Sequence, residues 1–285
     1  MPQRFDIDGC SVAVDEAGDG PPLMLLHASC ADRRMWRRQL AGLSDRLRVI
    51  CYDRRGFGDS ADAQHSFAHH EDVIALLDVL GIERSSIAGC SDGGRVAIDA
   101  VLAHPERFDT LTLMASGLSG HQWPTEMFEL YRQRVHETIG VGRLEKYRAG
   151  KVQAIDQTEL ATYSEAETEF LVADPGRTRH QLPEDVWSLA LEMDTSLNQR
   201  WWTRPPTVSE SLDPPAIGRL GEVQVPTKVI IGSEDLPAIQ ALSEHLAASI
   251  HRATLIRLPN TGHLPPLERP SEVNAAIRSL VSAAP

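Results

Sequence analysis

Three residues in this 285-residue chain could act as a nucleophile, a base and an orienting acid. Ser91 stands in Gly89-Cys90-Ser91-Asp92-Gly93, followed by Gly94. A serine hydroxyl attacks only when it is exposed and tightly held. A strand-to-helix elbow with glycines on either side holds it that way. Here a short strand precedes the pattern and a helical spacing follows it. The helix opening after Ser91 would also aim backbone N–H groups at developing negative charge. His263, in Asn260-Thr261-Gly262-His263, would take the Ser91 proton and return it to the leaving group. Asp235 follows the strand Val229-Ile230-Ile231 and the loop Gly232-Ser233-Glu234. Open α/β sheets put their sites at such C-terminal strand edges. Asp235 would hold the useful tautomer of His263 and stabilise its imidazolium. Glu234 is the rival acid. Neighbouring loop residues point differently, so only one should reach the histidine. The chain order nucleophile, acid, histidine favours Asp235. The chemistry is acyl transfer, with an acyl-enzyme on Ser91 that water hydrolyses.

These residues need a scaffold, and the hydrophobic pattern supplies one. Phe5 to Val14 reads as two short strands joined at Asp8-Gly9. Leu23–Leu26 is a wholly apolar run, and Leu47–Tyr52 is a second of the same kind but for Arg48; both suit strands buried on both faces. Arg34 to Leu43 between them has helical spacing. His69 to Leu80 repeats the helical period until Gly81 stops it. Ser85–Ala88 is a strand, Gly93–His104 a helix and Leu111–Met114 a strand. The rhythm then stops, and residues 122 to 213 carry only short amphipathic stretches. It resumes with a strand at Val225–Ile231, a helix at Ala238–Ile250 and a strand at Ala253–Leu258. The last helix spans Ser271–Val281, with Ser271 as candidate N-cap. The alternation predicts an α/β fold, a mostly parallel sheet with helices on both faces. The core is expected over residues 1–121 and 214–285, with a helical lid inserted over 122–213.

Composition narrows the partners. Hydrophobic residues make up 42% and charged residues 24%, so disorder is not expected. A net charge of -12 disfavours nucleic acid, whose binding is driven by phosphate neutralisation. It equally disfavours anionic membranes. No run reaches the roughly 20 apolar residues that span a bilayer. No signal-peptide pattern opens the chain, so the cytoplasm is the expected location. Cys10, Cys30, Cys51 and Cys90 form no CxxC pair. No His, Cys or carboxylate cluster has metal-ligand spacing, so neither metal nor cofactor is expected.

With these motifs in view, the sequence resembles the α/β-hydrolase superfamily over nearly its whole length. Leu25-Leu26-His27-Ala28-Ser29 resembles the oxyanion-loop motif after the third strand. Tyr52-Asp53-Arg54-Arg55-Gly56-Phe57-Gly58-Asp59-Ser60 resembles the YDxRGxGxS segment after the fourth. The resemblance implies an oxyanion hole made by the backbone N–H groups of Ser29 and Asp92. It also implies that Asp53 and Arg54 tie loops below the site. Ala28 stands where the family usually has glycine. A serine at position 91 argues against the aspartate-nucleophile dehalogenases and epoxide hydrolases of this fold. Ala28-Ser29-Cys30-Ala31-Asp32 with Met35-Trp36 is similar to the 3-oxoadipate enol-lactonase branch. The expected substrate is therefore a small or medium, fairly apolar carboxylic ester or lactone. A C–C bond hydrolase of a β-diketone-like compound uses the same residues. A non-catalytic ligand-binding member of the fold is the alternative from another class. Trp123, Tyr131, Trp187, Trp201 and Trp202 are candidates to line the pocket. Two adjacent rings cannot share one helical face, so one of Trp201 and Trp202 should face the cleft.

Overall fold

The structure is a computed structural model that describes residues 2–173, 176–204 and 206–283. The chain opens with β1 (Gln3–Ile7) and β2 (Cys10–Ala17), joined by Asp8 and Gly9 at positive φ. Two such residues make the turn that matches the twist of a tight hairpin. β3 (Pro22–Leu26) follows, then a short 3₁₀ turn whose N-cap is the Asp32 side chain, then α1 (Arg37–Leu43). β4 (Arg48–Tyr52), α2 (His69–Val79), β5 (Ser85–Cys90), α3 (Asp92–Ala103) and β6 (Phe108–Met114) complete the first half.

The insertion supplies α4 (Thr125–Arg134), α5 (Val141–Arg148), α6 (Gln157–Thr168) and α7 (Glu184–Thr203). β7 (Thr227–Gly232), α8 (Pro237–Ser249), β8 (Ala253–Leu258), α9 (Pro265–Glu268) and α10 (Pro270–Val281) close the chain. The closing helix thus starts one residue before the expected cap. Arg269 is its N-cap, without a side-chain bond, and Ser271 lies inside the first turn. Proline at the first helical position has no N–H to leave orphaned, which lets the helix begin there.

The sheet order is β1-β2-β4-β3-β5-β6-β7-β8. β2 pairs antiparallel with β1 and β4, and every other pairing is parallel. Alternate residues of each buried strand serve opposite faces. Met24 and Leu26 join the core under α2, α3 and α8, while Leu23 and Leu25 join the core under α1 and α10. The strand order turns back between β3 and β5. Such a switch point opens a crevice at the carboxyl ends of the two strands. The His27-Ala28-Ser29 loop leaves β3 there, and Ser91 leaves β5.

Among the described residues, no strand lies between β6 and β7. The inserted helices form a third apolar cluster of their own, built on Val135, Leu144, Tyr147, Tyr163, Phe170 and Trp202. That cluster includes Ala115, just past β6, and Ile231 near the end of β7. The insertion is thereby packed on the edge of the sheet that carries Ser91.

Candidate active site

Ser91 sits between the end of β5 and the start of α3, with φ 54° and ψ -119°. A positive φ is costly for a side chain with a Cβ and persists only when its surroundings hold it. Four backbone bonds do so: Ser91 N–H donates to Met114 C=O at 2.9 Å, and Gly94, Arg95 and Gly117 N–H donate to Ser91 C=O at 3.0, 3.3 and 2.9 Å. The glycines around it are required by space. A Cβ on Gly89 would lie 2.2 Å from Gly93 C=O, and one on Gly93 would lie 2.2 Å from Leu26 C=O. The elbow therefore packs backbone to backbone against the end of β3.

The other two candidates arrive from the far end of the sheet. Asp235 follows β7 and His263 follows β8. His263 Nε2 is 2.9 Å from Ser91 Oγ, and its Nδ1 lies 3.1 and 3.0 Å from the two oxygens of Asp235. A carboxylate accepts, so Nδ1 carries the proton and Nε2 is left to accept from the serine hydroxyl. Asp235 is buried, and its Oδ1 also accepts Leu236 N–H at 2.8 Å. Glu234 turns to its neighbour, accepting Ser233 Oγ–H at 2.8 Å. A Cβ on Gly232 would meet Thr261 C=O at 2.0 Å, so the acid and histidine loops also touch through their backbones.

The His27 ring holds the opposite wall. Its Nδ1 donates to Ala28 C=O at 2.8 Å, and its Nε2 accepts Arg54 N–H at 3.1 Å. Both ring nitrogens are thus used by the neutral form. Burial, reinforced by the Arg54 guanidinium, pushes the imidazole down to about 3. The ring anchors the loop on which Ser29 is exposed. Asp92 N–H belongs to the first turn of α3, where no intrahelical acceptor exists. Burial alone would raise the Asp92 carboxyl, but the Arg54 and Arg95 guanidiniums hold it well below the usual range. Asp53 accepts the N–H groups of Arg33 and Asp59 at 2.7 and 2.8 Å, joining two loops beneath the site.

A family model described as "Alpha/beta hydrolase family" matches residues 23–276. The chain belongs to that family. It is 27% identical to the 2-hydroxy-6-oxo-6-phenylhexa-2,4-dienoate hydrolase of Comamonas testosteroni, covering 94% of this chain and 90% of that protein. It is 26% identical to 3-oxoadipate enol-lactonase 2 of Acinetobacter baylyi, over 92% and 89% of the two chains. Among solved structures, a hydrolase from Pseudomonas aeruginosa superposes with a TM-score of 0.73 at 26% identity, over 99% and 98% of the two chains.

In this α/β-hydrolase the five aromatic candidates have different surroundings. Trp187 is buried in the same apolar cluster as Ala28 and Met35, with Arg179 over its ring, and Trp202 is buried against Tyr147, their rings stacked at 4.3 Å. Trp123 is half-buried, edge-on to His121. Trp201 alone of the five meets the loop after β4. Its Nε1–H donates to Gly56 C=O at 3.3 Å, and its ring is edge-on to Phe57 at 5.3 Å.

Tyr131 donates its hydroxyl to Glu167 and so joins a polar cluster that the sequence did not disclose. Asn198 bridges Glu167 and the buried Asp194 at 2.7 and 3.1 Å. Burial raises both carboxyls, and the Glu167 charge raises Asp194 further. Two acids held together in this way favour sharing one proton. They stand on α6 and α7, 27 positions apart, so no spacing announced them. A cavity of about 300 Å³ runs along this cluster and is lined by both Trp201 and Trp202.

One more support was missed. Glu268 accepts Gly262 N–H at 2.9 Å, beside His263, and pairs with Arg177 of the insertion at 2.8 Å. Among the described residues, no group of three or more His, Cys, Asp or Glu side chains could hold a metal ion. No helix there is long and apolar enough to cross a membrane.

Proposed function

We propose that this chain is a serine hydrolase that cleaves a small or medium, fairly apolar carboxylic ester or lactone. The observation that carries this reading is the unbroken path from Asp235 through His263 to Ser91 Oγ. His263 Nε2 takes the hydroxyl proton as Oγ attacks the carbonyl carbon. The backbone N–H groups of Ser29 and Asp92 receive the resulting oxyanion. His263, held by Asp235, then gives its proton to the leaving alcohol, and an acyl group remains on Ser91. Water, deprotonated by His263, releases the acid by the same steps in reverse.

In this reading the core comprises residues 1–121 and 214–285. Residues 122–213 form a lid that shapes the pocket and excludes water, with Trp123, Tyr131, Trp187, Trp201 and Trp202 as its lining candidates. The four free cysteines are all buried, which suits a reducing compartment, and we place the protein in the cytoplasm.

One observation favours a second reading, cleavage of a carbon–carbon bond. The Comamonas relative is named for a dienoate that contains no ester. A panel of activated esters, lactones and vinylogous diketones, run beside Ser91→Ala, separates the two. Turnover of esters or lactones, lost in the variant, is expected. Turnover confined to the diketones would replace the first reading with the second. An organofluorophosphonate should add its mass to the wild-type protein and not to Ser91→Ala. Equal labelling of both would remove Ser91 from the mechanism.

A further inference from the structure

Asp92 sets an electrostatic problem. Its N–H is one of the two donors assigned to the oxyanion, yet its side chain is itself an anion. A carboxylate one residue from a developing negative charge opposes that charge by Coulomb repulsion, and most strongly where water is excluded. The side chain is partly exposed, and it is not left bare. Asp92 Oδ2 accepts from Arg54 Nη1 at 2.5 Å, and Oδ1 accepts from Arg95 Nε at 2.6 Å. The two arginines differ in setting. Arg95 is partly exposed and shares its charge with Asp99, 3.2 Å away. Asp99 in turn accepts Ser119 Oγ–H at 2.6 Å.

Arg54 is wholly buried, and among the described residues Asp92 is the carboxylate with which it makes an ion pair. Its Nη2 reaches the carbonyl of His27 at 3.3 Å, and its guanidinium lies over the Phe57 ring at 4.6 Å. Its Nε finds no partner among the described residues. A buried guanidinium costs much desolvation, and this one is not even fully hydrogen-bonded. A purely structural tie at this place would be made better by an apolar side chain. What an apolar side chain cannot do is cancel the Asp92 charge.

We propose that Arg54 is a positioning residue of the oxyanion hole, whose guanidinium neutralises the Asp92 carboxylate beside the site where the oxyanion forms. This rests on the serine-hydrolase reading above. The arginine acts through Asp92 and does not touch substrate. It is needed because residue 92 is acidic, so the two side chains form one electrostatic unit.

A double-mutant cycle on 4-nitrophenyl acetate tests this. Arg54→Met should lower kcat about 100-fold, the scale of losing one oxyanion donor, and change KM less than about threefold. It should weaken binding of phenylboronic acid, an oxyanion mimic, in the same proportion. Adding Asp92→Asn should restore at least about tenfold of the lost kcat, since no uncancelled carboxylate then remains. A folded Arg54→Met with wild-type kcat would overturn the proposal, as would a double variant no better than the single.

If Arg54→Met does not fold by circular dichroism, Asp92→Asn and the double variant carry the test. Values of kcat within about threefold of each other support the proposal, because Arg54 is dispensable once the charge is gone. A further drop of about 100-fold in the double variant overturns it. Ser91→Ala is run alongside. If it keeps turnover, the reading of the site has failed. If it loses turnover while Arg54→Met keeps it, only this inference has failed.

Discussion

Asp235 and Glu234 are adjacent acids of one loop, and the backbone sorts them. Asp235 is drawn inward by Leu236 N–H and faces His263, whereas Glu234 folds onto Ser233. Asp235→Asn should therefore leave the imidazole in the wrong tautomer and lower kcat by about 10⁴-fold. Glu234→Gln should cost no more than a few-fold, in keeping with its half-exposed surroundings. Steady-state kinetics on an activated ester checks both, with circular dichroism to confirm the fold. A crippled Glu234→Gln would mean the wrong acid has been named. At this scale the sequence was legible where chemistry demands a motif. The Gly-x-Ser-x-Gly elbow and the order serine, acid, histidine could be read directly. The neutral His27 ring could not, because its state depends on Arg54, 27 positions away and buried beside it. Asp92, Arg95 and Asp99 did carry a signal: three charged residues at helical spacing on α3, directly after the elbow.

The central strand β3 was legible because it is apolar on both faces, and the expected Leu23–Leu26 matches it but for one residue. The edge strand β8, at Ala253–Leu258 as expected, buries only Leu258 fully. The helices of the insertion were less so. Their apolar faces pack on one another, and no turn or cap in the sequence tells which helix meets which. The Arg177–Glu268 pair is a case in point. It joins the segment after α6 to α9, with both side chains buried. Arg177→Met would leave Glu268 buried and unpaired, and should cost about 3–5 kcal/mol of stability. Urea denaturation at neutral pH reads this, and a loss below about 1 kcal/mol would show the pair to be as weak as an exposed one. α7 carries a second expectation. Successive residues of a helix are turned about 100° apart, which sends Trp202 into the cluster and Trp201 toward the Phe57 loop. Trp201→Ala should reorder a series of esters by acyl or alcohol size and leave phosphonate labelling of Ser91 intact. An unchanged ranking would take Trp201 out of the pocket. Trp202→Ala removes a buried ring and should cost about 3–5 kcal/mol instead.

The whole molecule should respond to acid through His27. In the unfolded chain its imidazole takes up a proton near 6.5, but in the folded chain only at about 3. Between those values the unfolded state binds more protons, so stability falls as pH falls. The full gap corresponds to about 4–5 kcal/mol. His27→Gln should flatten the fall of the urea midpoint between pH 6.5 and 4. Parallel curves for the two proteins would assign the acid sensitivity to other groups. The path of the chain through the sheet has a separate consequence. Ser91 and His263 are 172 positions apart, yet share a hydrogen bond. β7 and β8 must dock on β6 before the histidine loop can reach the elbow. Such a long-range contact is costly to close and forms late in assembly. On the proposed mechanism the serine should gain its reactivity only when the last strands are in place. A phosphonate pulse applied during refolding would count finished molecules and pass over every intermediate that has formed only its first five strands.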